Sequence, residues 1–119
     1  MKKATIIIKN LALRTILGIN NWERKEKQDI LINIAIDFDA EAAAASDNID
    51  DTINYKSLKK KIIAEAENNG YFLVEKLVDR ILDIIMTEPR AIRATVRVDK
   101  PFALRYAESV AIEMTRERE

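Results

Sequence analysis

The chain has 119 residues, one domain's worth, and its 48% hydrophobic and 34% charged residues allow a packed core under a well-solvated surface. Lys+Arg and Asp+Glu number 20 each, for zero formal net charge; this argues against a dedicated nucleic-acid binder and leaves little repulsion against self-association. Cys and His are both absent, which removes disulfides, thiol nucleophiles, Ser–His or Cys–His pairs and the usual zinc ligands, while Mg²⁺ or Ca²⁺ held by carboxylates alone stays open.

The first residues, Met1-Lys2-Lys3-Ala4-Thr5-Ile6-Ile7-Ile8, have no apolar run long enough for a signal peptide, and nothing later reaches membrane-spanning length. The expectation is a cytoplasmic protein that forms one domain over residues 1–119. Residues 4–9 are β-branched and apolar and read as a strand, followed by a second short strand from Leu13 to Ile19 that ends at Gly18. The polar stretch from Asn20 to Lys27 reads as a loop or hairpin tip. Residues 28–38 alternate strictly, with Ile30, Ile32, Ile34, Ile36 and Phe38 on one face and Leu31, Asn33, Ala35 and Asp37 on the other. That pattern predicts a half-buried strand of an antiparallel sheet.

Residues 40–54 predict a short helical turn and a connection. A helix is predicted from about Tyr55 to Asn69, with Leu58, Ile62, Ile63 and Ala66 as its apolar stripe and Asn68-Asn69-Gly70 as its stop. A second is predicted from about Leu73 to Thr87, with the stripe Leu73, Leu77, Ile81, Ile84 and Ile85, ended by Pro89. Ile92, Ala94, Val96 and Val98 alternate with Arg93, Thr95 and Arg97, and Val110–Met114 alternates again. Strands, two helices, then strands predict an α+β domain with the helices on one face of an antiparallel sheet. Its edge strands carry no Pro guard, and closure of several sheets into a ring would manage those edges.

Without His or Cys, acid–base work falls to Glu, Asp, Lys or Tyr. Glu75, in Leu73-Val74-Glu75-Lys76-Leu77, opens a helix; the plain reading is a carboxylate on the macrodipole, and the functional one is an anchor for two parallel N–H groups of a planar ligand. Lys100, before Pro101, reads either as a solvated turn lysine or as a catalytic amine. Trp22-Glu23 reads either as a packing Trp beside a solvated neighbour or as part of a site, and Tyr55 is more often structural than catalytic.

Taken together, Gly18-Ile19-x-x-Trp22-Glu23-Arg24-x-x-x-Gln28, Asn54-Tyr55, Leu73-Val74-Glu75-Lys76-Leu77, Lys100-Pro101-x-Ala103 and Ser109-Val110 occur in order from end to end. This resembles the dihydroneopterin aldolase family, which includes the dihydroneopterin triphosphate 2′-epimerases. The resemblance implies a tunnelling fold (T-fold), with a four-stranded antiparallel sheet, four subunits forming a barrel, two barrels stacked into a homo-octamer, and an active site between neighbours. It implies that Glu75 clamps the 2-amino group and ring N–H of a dihydropterin beside the backbone of Val74, and that Ile53 contributes from the adjacent subunit. Lys100 would be the general base, Tyr55 of the adjacent subunit a proton carrier, and Glu23 and Gln28 would orient side-chain hydroxyls and water. No cofactor is implied: cleaving C1′–C2′ leaves a carbanion that the pterin's own N5=C6 imine delocalises. Zinc-dependent pyruvoyl-tetrahydropterin synthases, by contrast, need His ligands.

Aldolase and epimerase share the retro-aldol step. Trp22-Glu23-Arg24 and Lys100-Pro101 resemble aldolases. Ile8-Lys9-Asn10-Leu11, Leu13-Arg14-Thr15, Glu67-Asn68-Asn69 and Ala103-Leu104-Arg105-Tyr106-Ala107 look like the epimerase branch, and Phe102 stands where aldolases often have Gly. Arg14, Arg24, Lys25 and Arg105 are the cations available to a triphosphate. The alternative in a different class is a catalytically idle oligomeric pterin-binding module.

Overall fold

Alternation along the strands sets the architecture of the computed structural model, which describes Met1–Glu119. Four strands, β1 (Lys3–Thr15), β2 (Gln28–Asp39), β3 (Arg93–Pro101) and β4 (Ser109–Glu117), form one antiparallel sheet in the order β1-β2-β3-β4. Between them lie α1 (Asn21–Lys25), α2 (Glu41–Ser46), a 3₁₀ turn (Ile49–Asp51), α3 (Tyr55–Asn68) and α4 (Val74–Met86). No helix is long and apolar enough to cross a membrane.

The two N-terminal strands expected from the sequence are one strand. Ile8 pairs with Ile34 and Leu11 with Ile32, so Lys9 and Asn10 together face Asn33. This β-bulge is held by Asn10, whose φ is +52°, whose N–H donates to Asn33 Oδ1 at 2.8 Å and whose Oδ1 accepts from Asn33 Nδ2 at 3.1 Å. The extra residue switches the parity of the strand. Ala4, Ile6 and Ile8 lean on the core before it, and Leu11 and Leu13 after it. A strict period of two therefore breaks at Lys9–Asn10 although the strand does not. Pairing stops at Thr15, and the stretch read as a loop tip after it contains α1.

Strand β2 follows its pattern: Ile30, Ile32, Ile34, Ile36 and Phe38 are buried beneath the helices. From β3 come Ala94, Val96 and Val98, whereas Ile92 is exposed ahead of the strand. Helix α3 contributes Leu58, Ile62 and Ala66, with Ile63 half-buried. Helix α4 contributes Leu77, Val78, Ile81, Leu82 and Ile85. Leu73 is instead the exposed N-cap and Ile84 only half-buried; the buried stripe is broader than predicted because α4 lies across both β3 and β4 while also packing on α3. Arg116 of β4 fastens the edge strand to α4 through Asp79, at 2.5 Å, and Asp83.

The opposite sheet face is uncovered and polar. Thr5 bonds to Asp37 (2.8 Å), Thr95 to Thr115 (2.9 Å), and Asp99 accepts from Arg97 (2.9 Å) and Ser109 (2.8 Å). The radius of gyration, 15.6 Å, exceeds the roughly 13.5 Å of a compact domain this long, as befits a sheet covered on one side only.

Ile81 is fully buried at the centre of this core. Ile81→Ala is expected to cost about 2–5 kcal/mol, read as a lower urea midpoint at unchanged slope; a loss below about 1 kcal/mol would show that α4 does not form the core.

Candidate functional site

Strand parity delivers the first residue. Ala94, Val96 and Val98 point to the helices, and the next residue in that row is Lys100. It is 8% exposed rather than solvated in a turn, because pairing continues past it to Pro101 opposite Ser109. Gln28 extends the Ile30–Ile32 row of β2 at the same end of the sheet, since Leu31 pairs with Asp99.

Glu23 comes to meet them from α1. Its carboxylate accepts from Lys100 Nζ at 2.5 Å, Gln28 Nε2 at 3.2 Å, Asn20 Nδ2 at 2.9 Å and the Asn20 N–H at 3.2 Å. Glu23 is 3% exposed while its neighbour Trp22 is 56% exposed, the reverse of a packing Trp beside a solvated Glu. Gly18 makes the inversion possible: its φ is +137°, and a Cβ there would lie 2.2 Å from the Glu23 carboxyl carbon. Burial pushes the Glu23 pKa up, but the hydrogen bonds from Lys100, Gln28 and Asn20 and the Lys100 charge outweigh it and hold the carboxyl at about 2, below its ordinary 4.5.

The third wall is the entry to α4. Phe72 and Leu73 are exposed, Val74 and Glu75 form the first turn, and the N–H groups of Val74 and Glu75 make no main-chain hydrogen bond. Glu75 and Val74 share a pocket of about 290 Å³ with Glu23, Lys100, Trp22, Leu104 and Val110. One concavity is thus lined by a carboxylate beside free amides, a buried carboxylate–amine pair and apolar side chains.

Other candidates lie elsewhere. Gln28 stands behind Glu23, with its Nε2 also donating to the Leu17 carbonyl at 2.5 Å. Tyr55 is half-exposed at the start of α3, and Ile53 is 1% exposed in the core; neither lines the pocket of its own chain. The main-chain N–H and C=O of Ile53 have no intrachain partner. Asn20 was not singled out from the sequence; its place three residues before Glu23 at a helix start is the signal that identifies it.

Because the folded Glu23 carboxyl titrates at about 2 and the unfolded one near 4.5, the unfolded state binds more protons between these values. Stability from this group is complete above about pH 4.5 and is lost as the pH falls toward 2. Asp99 acts in the same sense: burial raises its pKa, and the Arg97 and Ser109 hydrogen bonds lower it further. Glu23→Gln should flatten the acid limb of urea stability against pH; an unaltered limb would mean that the carboxylate is not held as described.

Comparison with known proteins places the chain in a family. The dihydroneopterin triphosphate 2′-epimerase of Escherichia coli (strain K12) is 44% identical over 115 residues, spanning 97% of this chain and 96% of that protein. The dihydroneopterin aldolase of the same strain is 22% identical over 107 residues, 90% of this chain and 88% of that one. The crystal structure of E. coli dihydroneopterin aldolase in complex with neopterin superposes with a TM-score of 0.90 at 22% identity, covering 95% of this chain and 98% of the other. The family model for dihydroneopterin aldolase matches residues 6–115, and with that span the chain belongs to the dihydroneopterin aldolase family.

Proposed function

We propose that the pocket holds a dihydropterin and that the protein performs retro-aldol chemistry on its side chain, with 2′-epimerisation of dihydroneopterin triphosphate as the main reaction. The observation that carries this is that Glu75 and the Glu23–Lys100 pair line one pocket. A carboxylate accepts two parallel N–H bonds, so Glu75 grips the 2-amino group and ring N–H, with the backbone of Val74 alongside. Phe72 and Leu73 offer apolar surface to the ring.

The side chain then points at Lys100 and Glu23. To take the 2′-hydroxyl proton through a water, Lys100 must enter the cycle as the free amine, having first given up the proton with which it pairs to Glu23 in this structure. The C2′ carbonyl forms, C1′–C2′ breaks, and its electron pair passes through C6 to N5, which is protonated. Glu23 holds the amine and the water in place; Gln28 holds Glu23. The ring itself takes the electron pair, so acid–base groups and positioning suffice. Re-addition of the retained aldehyde to its other face inverts C2′; release of glycolaldehyde after protonation at C1′ is aldolase cleavage. The relative at 44% identity bears an epimerase name, which favours inversion. The Trp22-Glu23-Arg24 and Lys100-Pro101 motifs, which carry the step both reactions share, are compatible with a cleavage activity beside it.

Tyr55 and Ile53 serve a neighbouring subunit's pocket in this proposal. The uncovered sheet face, the free edges of β1 and β4 and the unpaired Ile53 backbone support a barrel, and a stack of two barrels makes the octamer. Sedimentation at micromolar concentration tests this: monomers alone would refute the shared site.

Incubation with dihydroneopterin and with its triphosphate, followed by chromatography, is expected to show C2′ inversion of the triphosphate exceeding glycolaldehyde release; neither product would leave the idle binding module. Lys100→Ala should lose about 10²-fold or more in kcat while still binding neopterin, and normal turnover would remove Lys100 as the base. Glu75→Ala should weaken neopterin binding about tenfold or more, the loss of at least one charged hydrogen bond; unchanged affinity in calorimetry would refute the anchor.

A further inference from the structure

The two walls that meet the proposed ligand belong to segments far apart in sequence, residues 18–23 and 72–75. A single main-chain hydrogen bond joins these regions, from the Gly18 N–H to the Tyr71 carbonyl at 3.2 Å. The remaining hydrogen bonds between them come from one side chain. Arg24 Nη1 donates to the Gly18 carbonyl at 3.0 Å and to the Tyr71 carbonyl at 3.2 Å, and Nη2 donates to the Gly70 carbonyl at 2.7 Å. Its guanidinium lies 3.9 Å from the centroid of the Phe72 ring. Gly70, at φ +57°, turns the chain under Nη2. Arg24 pairs with no carboxylate and does not line the pocket. A planar fork of fixed donors can join three carbonyls from two loops; a lysine ammonium has no such geometry.

From this arrangement we infer that Arg24 is a positioning residue: it sets the distance between the Phe72–Glu75 wall and the Glu23–Lys100 pair. Arg24 is thereby set apart from the cations that could meet a triphosphate, because three of its five N–H donors are committed to main-chain oxygens and its face to Phe72. The inference rests on the proposed pterin site, and it specifies that the grip on the ring and the acid–base pair act as one unit only while the guanidinium joins them.

The test compares the wild type, Arg24→Ala and Arg24→Lys in kinetics with dihydroneopterin and with its triphosphate, and in neopterin titrations, with circular dichroism to verify folding. A misplacement near 1 Å costs roughly 10²-fold. The folded variants should therefore lose about that much in kcat/KM, divided between a raised KM and a lowered kcat, and by the same factor for both substrates. Guanidinium chloride at low, non-denaturing concentration should restore part of the activity of Arg24→Ala, and sodium chloride should not. A loss confined to the triphosphate would make Arg24 a phosphate ligand and overturn the inference. So would unchanged kinetics in either folded variant, a fall in kcat alone with KM intact, or failure of both variants to fold, which would make Arg24 a folding residue. A wild type that does not take up neopterin would overturn the site reading itself, and this inference with it.

Discussion

A buried carboxylate bonded to a buried amine 77 residues away in the chain, Glu23 on Lys100, is the constraint around which this end of the molecule is arranged. Removing two charges from water costs several kcal/mol each, and the pair persists only where the remaining valences are filled. Asn20 and Gln28 fill those of Glu23. Gly18 supplies the absence of a side chain that lets the carboxylate come so close to the main chain. Strand β3 supplies the parity that turns Lys100 inward. Each of these local features would be unremarked alone; together they hold ionised groups at the edge of an apolar core, where a hydrophobic pair would be the cheaper choice for stability.

Much of this was legible in the sequence, and its limits have physical causes. The alternating Ile row of β2 and the strand–helix–helix–strand order gave the sheet and the face the helices cover. Strand β1 was divided in two because the bulge at Lys9–Asn10 reverses parity, and a period-of-two reading takes any reversal for an end. Lys100 was placed in a turn because Pro101 resembles a stop; yet Pro101 is the last residue of its strand, where a missing N–H costs little. Counting two onward from Ala94, Val96 and Val98 would have turned Lys100 inward. The reading of Trp22 as a packing indole beside a solvated Glu23 rests on hydrophobicity alone, whereas the carboxylate is drawn in by donors from three residues that lie outside its own segment or cap its helix.

On the proposed reading, the remainder is a property of more than one chain. Tyr55 belongs to the motif set that resembles the family and Ile53 adjoins that motif, yet the fold leaves both away from the Glu23–Lys100 pocket. On the proposed reading they complete a neighbour's site. A sheet with one bare polar face, two free edges and an extended shape is what such an assembly requires of each subunit. Sequence order cannot reveal that juxtaposition, because no intrachain register links Tyr55 to Lys100.

The same constraint bears on why aldolases and epimerases share so much of one site. In the proposed mechanism both need the ring gripped and the 2′-proton removed before their paths divide, so the acid–base pair cannot distinguish them. What divides them is the competition between escape of the aldehyde and its return, and a tenfold change in that ratio is only about 1.4 kcal/mol. Besides the Phe72–Glu75 segment, the β3–β4 connection borders the pocket without belonging to the acid–base cluster, through Ala103 and Leu104. It is shaped by two residues at positive φ, Phe102 and Tyr106, the first standing where aldolases often have Gly. Divergence of outcome on a common framework then asks only for changes in how that connection holds the aldehyde, with Glu23, Lys100 and Glu75 left as they are.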